Sequence, residues 1–355
     1  MKLLKIAVVG CGGIANCAHF PAYKNMKNVE IVGLCDIKPE KAEKAKKDFS
    51  FDSAAVYSDY NMMLKEVKAD AVDICTPNYL HSVIAVTALE KGFNVFCEKP
   101  DAVSVEEVTK MQKAAETSGK LLMVMRNNRF AASSAALKKF IADGKAGEIY
   151  CGRCGWVRRR GIPGKGGWFT TKEQSGGGPL IDLGVHMIDL AIWLMGNPTP
   201  VAVSGSIYTK FANDELSDSV HSAFGEKVED GIFDVEDLAM GFIKFSNGAS
   251  LQIEFSWASN VKQERNFVEL RGTKAGFTWE NGGAAEIFSE ENGILTDTQL
   301  LPGPSNGHAA NLEHFVNCLV NGAEPDFKPV QGVNMIKILS AIYESAKTGK
   351  EVSLI

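Results

Sequence analysis

The first 125 residues alternate too regularly for most folds to accept them. Short apolar runs at 5–9, 29–35, 71–75, 93–97 and 121–125 are separated by helix-length stretches at 39–49, 79–91 and 105–118. Strands joined through helices pair in parallel by crossover, and a parallel sheet needs both faces covered. The alternation therefore predicts repeated βαβ units and an α/β domain. With 355 residues, 45% hydrophobic and 23% charged, the chain is long enough for a second core beyond that domain.

After the first run comes Gly10-Cys11-Gly12-Gly13-Ile14-Ala15, the G-x-G-x-x-A form of a dinucleotide fingerprint, and Asp36 closes the second strand. Such glycines permit a tight turn and close backbone approach, so that a pyrophosphate can sit at the positive end of the following helix. The Asp36 carboxylate suits a ribose 2′-hydroxyl. A 2′-phosphate would meet a like charge, a repulsion of up to about 4 kcal/mol near a protein surface. NAD is the expected cofactor, with NADP as the alternative because Lys38 offsets part of that repulsion.

Several functions are disfavoured. The net charge is −5 with no long basic run, so there is no general electrostatic reason to bind nucleic acid or a membrane surface. No apolar stretch reaches the roughly 20 residues of a membrane span, and the start MKLLKIAVVG runs into glycines rather than a cleavage site. A cytoplasmic location is expected. The eight cysteines lie mostly in apolar runs, as buried thiols do in a reducing compartment. Cys151 and Cys154 form a lone C-x-x-C without a second pair or neighbouring histidines, and no metal is expected.

In open parallel sheets ligands bind beyond the carboxyl ends of the strands. Two later strands end in Thr76-Pro77-Asn78-Tyr79-Leu80-His81 and Glu98-Lys99-Pro100. Pro100 fixes its own φ and biases Lys99 to extended geometry, which keeps the lysine at the strand end instead of in the next helix. Further on, GGGPLIDLGVHMIDLAIWLM at 176–195 predicts one buried helix opened by glycines and a proline. Asp182, His186 and Asp189 recur every three or four positions and share a face of it. Charge on so apolar a helix needs a reason. Asp189 is expected to be structural, bonded to backbone or to an arginine.

These motifs, GCGGIA, CTPNYLHS, CEKP and GGGPLIDLGVHMIDL in this order and spacing, resemble the glucose–fructose oxidoreductase / inositol dehydrogenase / MocA family, and the similarity reaches the end YESAKTGKEVSL. The resemblance implies an N-terminal Rossmann domain over 1–125. It also implies a C-terminal α+β domain over 126–355 with an open, largely antiparallel sheet for substrate binding and oligomerisation. The implied activity is oxidation of a sugar, sugar derivative or cyclitol hydroxyl by NAD or NADP, in a dimer or tetramer. By the family's motif Lys99, Asp182 and His186 are the catalytic residues. Cofactor contacts fall on Gly10, Gly12, Gly13, Ile14, Ala15, Asp36 and Ile37, and on Thr76, Pro77, Asn78, His81, Glu98 and Lys99.

The second domain has its own signals. Leu251–Trp257 alternates apolar and polar, and Asn247-Gly248 before it marks a hairpin with 238–245. One face of that sheet should pack on the apolar helix, while Gln252, Glu254 and Ser256 face solvent or another subunit. Segments 131–142, 311–320 and 334–348 read as helices. The glycine-rich stretch 161–169 follows Arg158-Arg159-Arg160, and Trp168 offers a platform for a sugar ring. Arg158, Trp168 and Asn127 are therefore expected to join Lys99, Asp182 and His186 in substrate binding.

Oxidising a secondary alcohol needs a base for the hydroxyl proton. Lysine starts near pKa 10.4 and would need a fall of roughly three units, about 4 kcal/mol, to serve at neutral pH, whereas histidine starts near 6.5. His186 is thus the expected general base and Lys99 the cation that stabilises developing alkoxide charge. Two other functions remain compatible with these residues: a glycosidase-like enzyme with tightly held NAD, and a non-catalytic NAD-binding regulator.

Overall fold

A computed structural model describes residues 3–213 and 225–355. The chain forms two compact units, Met1–Met125 with His308–Val333, and Arg126–Gly307 with Asn334–Ile355.

The first unit is built on six parallel strands: β1 (Leu4–Val9), β2 (Val29–Cys35), β3 (Ala55–Tyr57), β4 (Ala71–Ile74), β5 (Asn94–Cys97) and β6 (Leu122–Val124). Their order is β3-β2-β1-β4-β5-β6, so the winding reverses between β1 and β4, where such sheets bind ligands. Ile6, Val8, Val72, Ile74, Val95 and Phe96 have no exposed surface, as expected of strands covered on both faces. The helices obey their end signals. Ser104 accepts the Glu107 N–H at 3.2 Å to start Val105–Ser118, and Gly119, at φ 63°, ends it. The short strand β3 has no counterpart in the sequence pattern, because three half-exposed residues make no apolar run.

His308–Val333 departs from the expected division at 126–355. It belongs to the first unit because the helix Gly307–Asn321 carries Phe315, fully buried with its ring 5.2 Å from that of Phe96, and Phe327 is buried nearby in the chain.

The second unit contains, among the described residues, a nine-stranded sheet. It runs through β7 (Ile149–Val157), β8 (Pro200–Tyr208), β9 (Leu238–Phe245), β10 (Ser250–Ser256), β11 (Arg265–Gly272), β12 (Ala275–Glu280), β13 (Ala284–Glu291), β14 (Ile294–Leu300) and β15 (Val352–Ser353). The order is β14-β13-β12-β11-β7-β10-β9-β8-β15. Only β7 and β10 pair in parallel; every other pair is antiparallel. The Asn247-Gly248 turn joins β9 to β10, with Gly248 at φ 86°. Along β10, Leu251, Ile253 and Phe255 are fully buried while Gln252 is exposed. Ser256 breaks the expected outward row: it is fully buried, its hydroxyl donating to the Arg158 carbonyl at 3.2 Å, because the chain turns over the strand end there.

The apolar segment 179–194 packs on this sheet but not as one helix. It forms Pro179–Asp182 and Gly184–Leu194, broken at Leu183, and Gly184–Leu194 is bent by 48° from the stretch Lys172–Asp182. Two anchors account for the break. The buried Glu236 carboxylate accepts the N–H groups of Gly178 and Leu180 at 3.0 and 3.1 Å, which fixes the first turn. Gly184, where a Cβ would stand 3.3 Å from the Phe255 ring, lets the second turn settle onto the sheet. No single helix among the described residues is long and apolar enough to cross a membrane.

Candidate active site

The glycine turn of the first unit is shaped by sterics. Gly10 sits at φ 94°, and a Cβ on it would lie 2.5 Å from the Cys75 carbonyl oxygen, so no other residue fits. A Cβ on Gly12 would meet nothing within 4 Å; the backbone there is open to a ligand. Gly13 begins a helix whose turn Ala15–His19 is widened to a π-helix, a feature frequent at functional sites. Ile14 is half-buried and Ala15 fully buried. Asn16 donates to the Cys11 and Gly12 carbonyls at 2.8 and 2.7 Å. The Asp36 carboxylate accepts N–H groups of Cys11 and Lys38, each at 2.9 Å, and so is held at the mouth of the turn. Ile37 beside it is 85% exposed. A groove of about 550 Å³ opens along Gly12, Gly13, Asn16, Lys41 and Lys44.

The ends of β4 and β5 complete this edge. Thr76 and Pro77 are half-buried, and the Thr76 hydroxyl oxygen is buried without a hydrogen-bond partner. Asn78 is buried and opens a single turn of 3₁₀ helix. The orphaned hydroxyl, the open backbone at Gly12 and the fixed Asp36 carboxylate fit a dinucleotide. His81 differs from its expected role as a cofactor contact in one respect: its ring is buried, with Nδ1 2.7 Å from the Pro100 carbonyl and Nε2 2.9 Å from that of Thr76. It ties the two strand ends together. Glu98 is buried and Lys99 half-buried. His19 and Asp73, which carry no sequence signal beyond a lone polar residue in an apolar setting, lie behind Glu98.

In the second unit Asp182 and His186 stand on either side of the helix break, so they are not successive turns of one straight helix. The Asp182 carboxylate accepts the indole N–H of the fully buried Trp257 at 3.0 Å. The His186 ring lies 5.9 Å from that of Trp156, over which the Arg158 guanidinium sits at 5.1 Å. Burial pulls Arg158 below its usual range and the Asp182 charge opposes this. Trp156 thus lies between His186 and Arg158, and the Arg158 charge is felt by Asp182, which Trp257 holds; the two tryptophans are residues that sequence reasoning did not assign. Trp156 and Trp257 are legible only as strand ends facing the helix.

Trp168 stacks on Phe169 with ring centroids 3.8 Å apart. The glycine-rich loop before it is closed against residues 225–231: Val228 donates its N–H to the Lys165 carbonyl at 2.9 Å, and a Cβ on Gly166 would strike the Val228 carbonyl. Asn127 donates to Asn128 at 3.1 Å, and its own side-chain oxygen is buried without a partner. Asp189 is structural, as expected. It takes Arg126 Nε at 2.9 Å and Arg129 through Nε and Nη2 at 2.8 and 2.7 Å. Cys151 and Cys154, an odd number of residues apart on β7, point to opposite faces and cannot share a metal.

Among the described residues one group, His19, Asp73 and Cys75, has metal-ligating atoms in proximity. The 2.7 Å separation of His19 Nδ1 and Asp73 Oδ2 is a direct hydrogen bond. Ligands around a tetrahedral zinc stand about 3.3 Å apart, given bonds near 2.0 Å.

Residues 4–126 match the model of an oxidoreductase family with an NAD-binding Rossmann fold, and 138–354 match that family's C-terminal alpha/beta domain. The D-glucoside 3-dehydrogenase of Escherichia coli (strain K12) is 34% identical over 99% of this chain and 97% of its own. The scyllo-inositol 2-dehydrogenase (NADP(+)) of Bacillus subtilis (strain 168) is 25% identical over 99% of this chain and 96% of its own. The structure of a levoglucosan dehydrogenase with NADH and levoglucosan superposes with a TM-score of 0.87 at 24% identity, covering 99% of this chain and all of the other, a likeness of fold.

Proposed function

Because the chain belongs to the glucose–fructose oxidoreductase / inositol dehydrogenase / MocA oxidoreductase family, and is an NAD(P)-dependent dehydrogenase, we propose that it oxidises a secondary hydroxyl of a pyranoside or cyclitol. Bound NAD supplies the hydride acceptor. His186, of the side-chain type commonest in general-base work, takes the hydroxyl proton on a ring nitrogen. Asp182, held by the Trp257 indole N–H, meets a substrate hydroxyl or the imidazole. Lys99 stabilises the negative charge that develops on the alcohol oxygen. Arg158, Trp168 and Asn127 are assigned to the sugar, and Asp36 makes NAD the preferred cofactor over NADP.

The observation that carries this proposal is the Asp182–Trp257 bond beside the His186, Trp156 and Arg158 cluster: an apolar wall with a few convergent polar groups is what a sugar ring requires. A relative named as a D-glucoside 3-dehydrogenase makes hexopyranosides the first class to try. The test is a screen of D-glucosides, free aldoses and inositols with NAD and with NADP, followed by absorbance of the reduced cofactor. Steady NADH formation, faster than NADPH formation, is the expected result. Glycoside cleavage without net NADH would replace it with the glycosidase-like reading, and binding of NAD without any turnover would favour a regulator.

The outer face of the second sheet is assigned to self-association. Tyr208, Met240 and Phe242 share that face in paired strands and are 44%, 37% and 41% exposed, an apolar row that a second copy would cover in a dimer or tetramer. Phe242→Glu should shift the sedimentation coefficient to that of a smaller species; a wild-type chain that already sediments as a monomer removes the assignment.

A further inference from the structure

The interior of the Rossmann sheet holds an ionisable array that the proposed reaction does not use. Asp73 stands in β4 between apolar residues and has no exposed surface. A buried carboxylate without partners would cost several kcal/mol. Its Oδ2 accepts the Tyr23 hydroxyl at 3.0 Å and faces His19 Nδ1 at 2.7 Å. The other ring nitrogen, Nε2, lies 2.9 Å from Glu98 Oε1. Glu98 Oε2 in turn accepts the backbone N–H of Lys99 at 3.0 Å. Cys75 Sγ, 3.4 Å from Nδ1, and the edge-on Phe96 ring close the surroundings of the imidazole.

Each ring nitrogen faces a carboxylate oxygen, and only a doubly protonated imidazole donates to both. Burial pulls His19 down, but the Asp73 charge outweighs it and lifts the ring well above its ordinary pKa. Burial likewise pushes Glu98 up, and the His19 hydrogen bond and charge override this and hold it at about 2. The array is therefore an imidazolium between two carboxylates, and it ends on the backbone of Lys99. The far side of the same turn is held by His81, whose Nδ1 faces the Pro100 carbonyl.

We propose that His19 is a positioning residue for Lys99: locked to Asp73, it fixes Glu98, and through the Glu98 carboxylate it fixes the backbone from which the lysine side chain departs. This rests on Lys99 taking part in the reaction. A side chain that served only to fill the core would be met as well by an apolar residue of the same size, without three ionisable groups to compensate. An error of about 1 Å in a reacting group costs about a hundredfold in rate, so the array has enough to control.

The test uses the full chain with NAD and methyl β-D-glucopyranoside, or the sugar that displaces it as best substrate in the screen. His19→Gln and Glu98→Gln should each lower kcat by about tenfold to a hundredfold, with KM within about threefold and, in His19→Gln, NADH binding read by fluorescence within the same range. The primary deuterium isotope effect on kcat should rise as hydride transfer becomes limiting. The double variant should be no worse than the poorer single one, because both break one chain of contacts. If His19→Gln does not fold, Glu98→Gln decides alone, since the amide keeps the shape and leaves the His19–Asp73 pair intact. An unchanged kcat and isotope effect in folded Glu98→Gln overturns the inference. Lys99→Ala separates the two levels: normal turnover there sinks the reaction assignment itself, whereas loss of turnover there with a normal Glu98→Gln sinks only the role of His19.

Discussion

Two aspartates on the same apolar segment face opposite demands. Asp189 is buried with two guanidinium groups directed at it; burial pushes its carboxyl up, and the charges of Arg129 and Arg126 outweigh that and bring it down. Removing it takes the carboxylate from between two buried cations, so Asp189→Ala should destabilise the fold by about 3–5 kcal/mol, measured by urea unfolding; a loss below about 1 kcal/mol would mean that the other contacts of the arginines suffice. Asp182 is half-buried and accepts the Trp257 indole N–H, so it is not shut into the core as Asp189 is. Its neighbour His186 is also half-buried. As general base, His186→Ala should cut turnover at neutral pH by about a hundredfold or more while NADH fluorescence titration gives nearly the wild-type affinity. Normal turnover would remove it from the reaction.

At the scale of elements, the glycine turn separates two uses of the same residue type. Gly10 is fixed by the fold, through its positive φ and the Cys75 carbonyl 2.5 Å from any Cβ; Gly12 has open space where a Cβ would be. Gly10→Ala should therefore lower the melting temperature, whereas Gly12→Ala should melt like the wild type and yet bind NADH more weakly, the added methyl standing where the pyrophosphate approaches. Equal melting and equal affinity in both would show that the turn holds no dinucleotide. The sequence carried these glycines plainly because a strand stands before them and an acid ends the next strand. It carried the strands of both sheets where burial on one or both faces forces a period, as in Leu251–Phe255, and lost β3, too short to have one. The break at Leu183 was illegible, since the apolar spacing of 180–194 continues through it and the cause lies in Glu236 and Phe255, distant in sequence. His19 was illegible for the same reason: a single histidine in a helix gains meaning only when Asp73 and Glu98 are brought to its two nitrogens.

The stability of the whole molecule should carry the signature of that same array. One attraction is seen from both ends. Glu98, held at about 2 against an ordinary 4.5, contributes stability that is present above 4.5 and lost as pH falls through about 2. His19, raised well above 6.5, contributes stability that is complete below 6.5 and lost as pH rises through its elevated value. Both ends are fully engaged only between about 4.5 and 6.5. The difference in melting temperature between the wild type and Glu98→Gln should accordingly be largest in that window and shrink toward alkaline pH, as the imidazolium gives up its proton and the carboxylate loses its partner. The comparison is made by scanning both proteins over a pH series at constant ionic strength, which matters little for groups this deeply buried. A difference that grows above neutrality instead would mean that His19 is neutral in the folded protein, with one carboxylate carrying the proton between them, and the Lys99 backbone would then hang from a neutral hydrogen bond rather than from an ion pair.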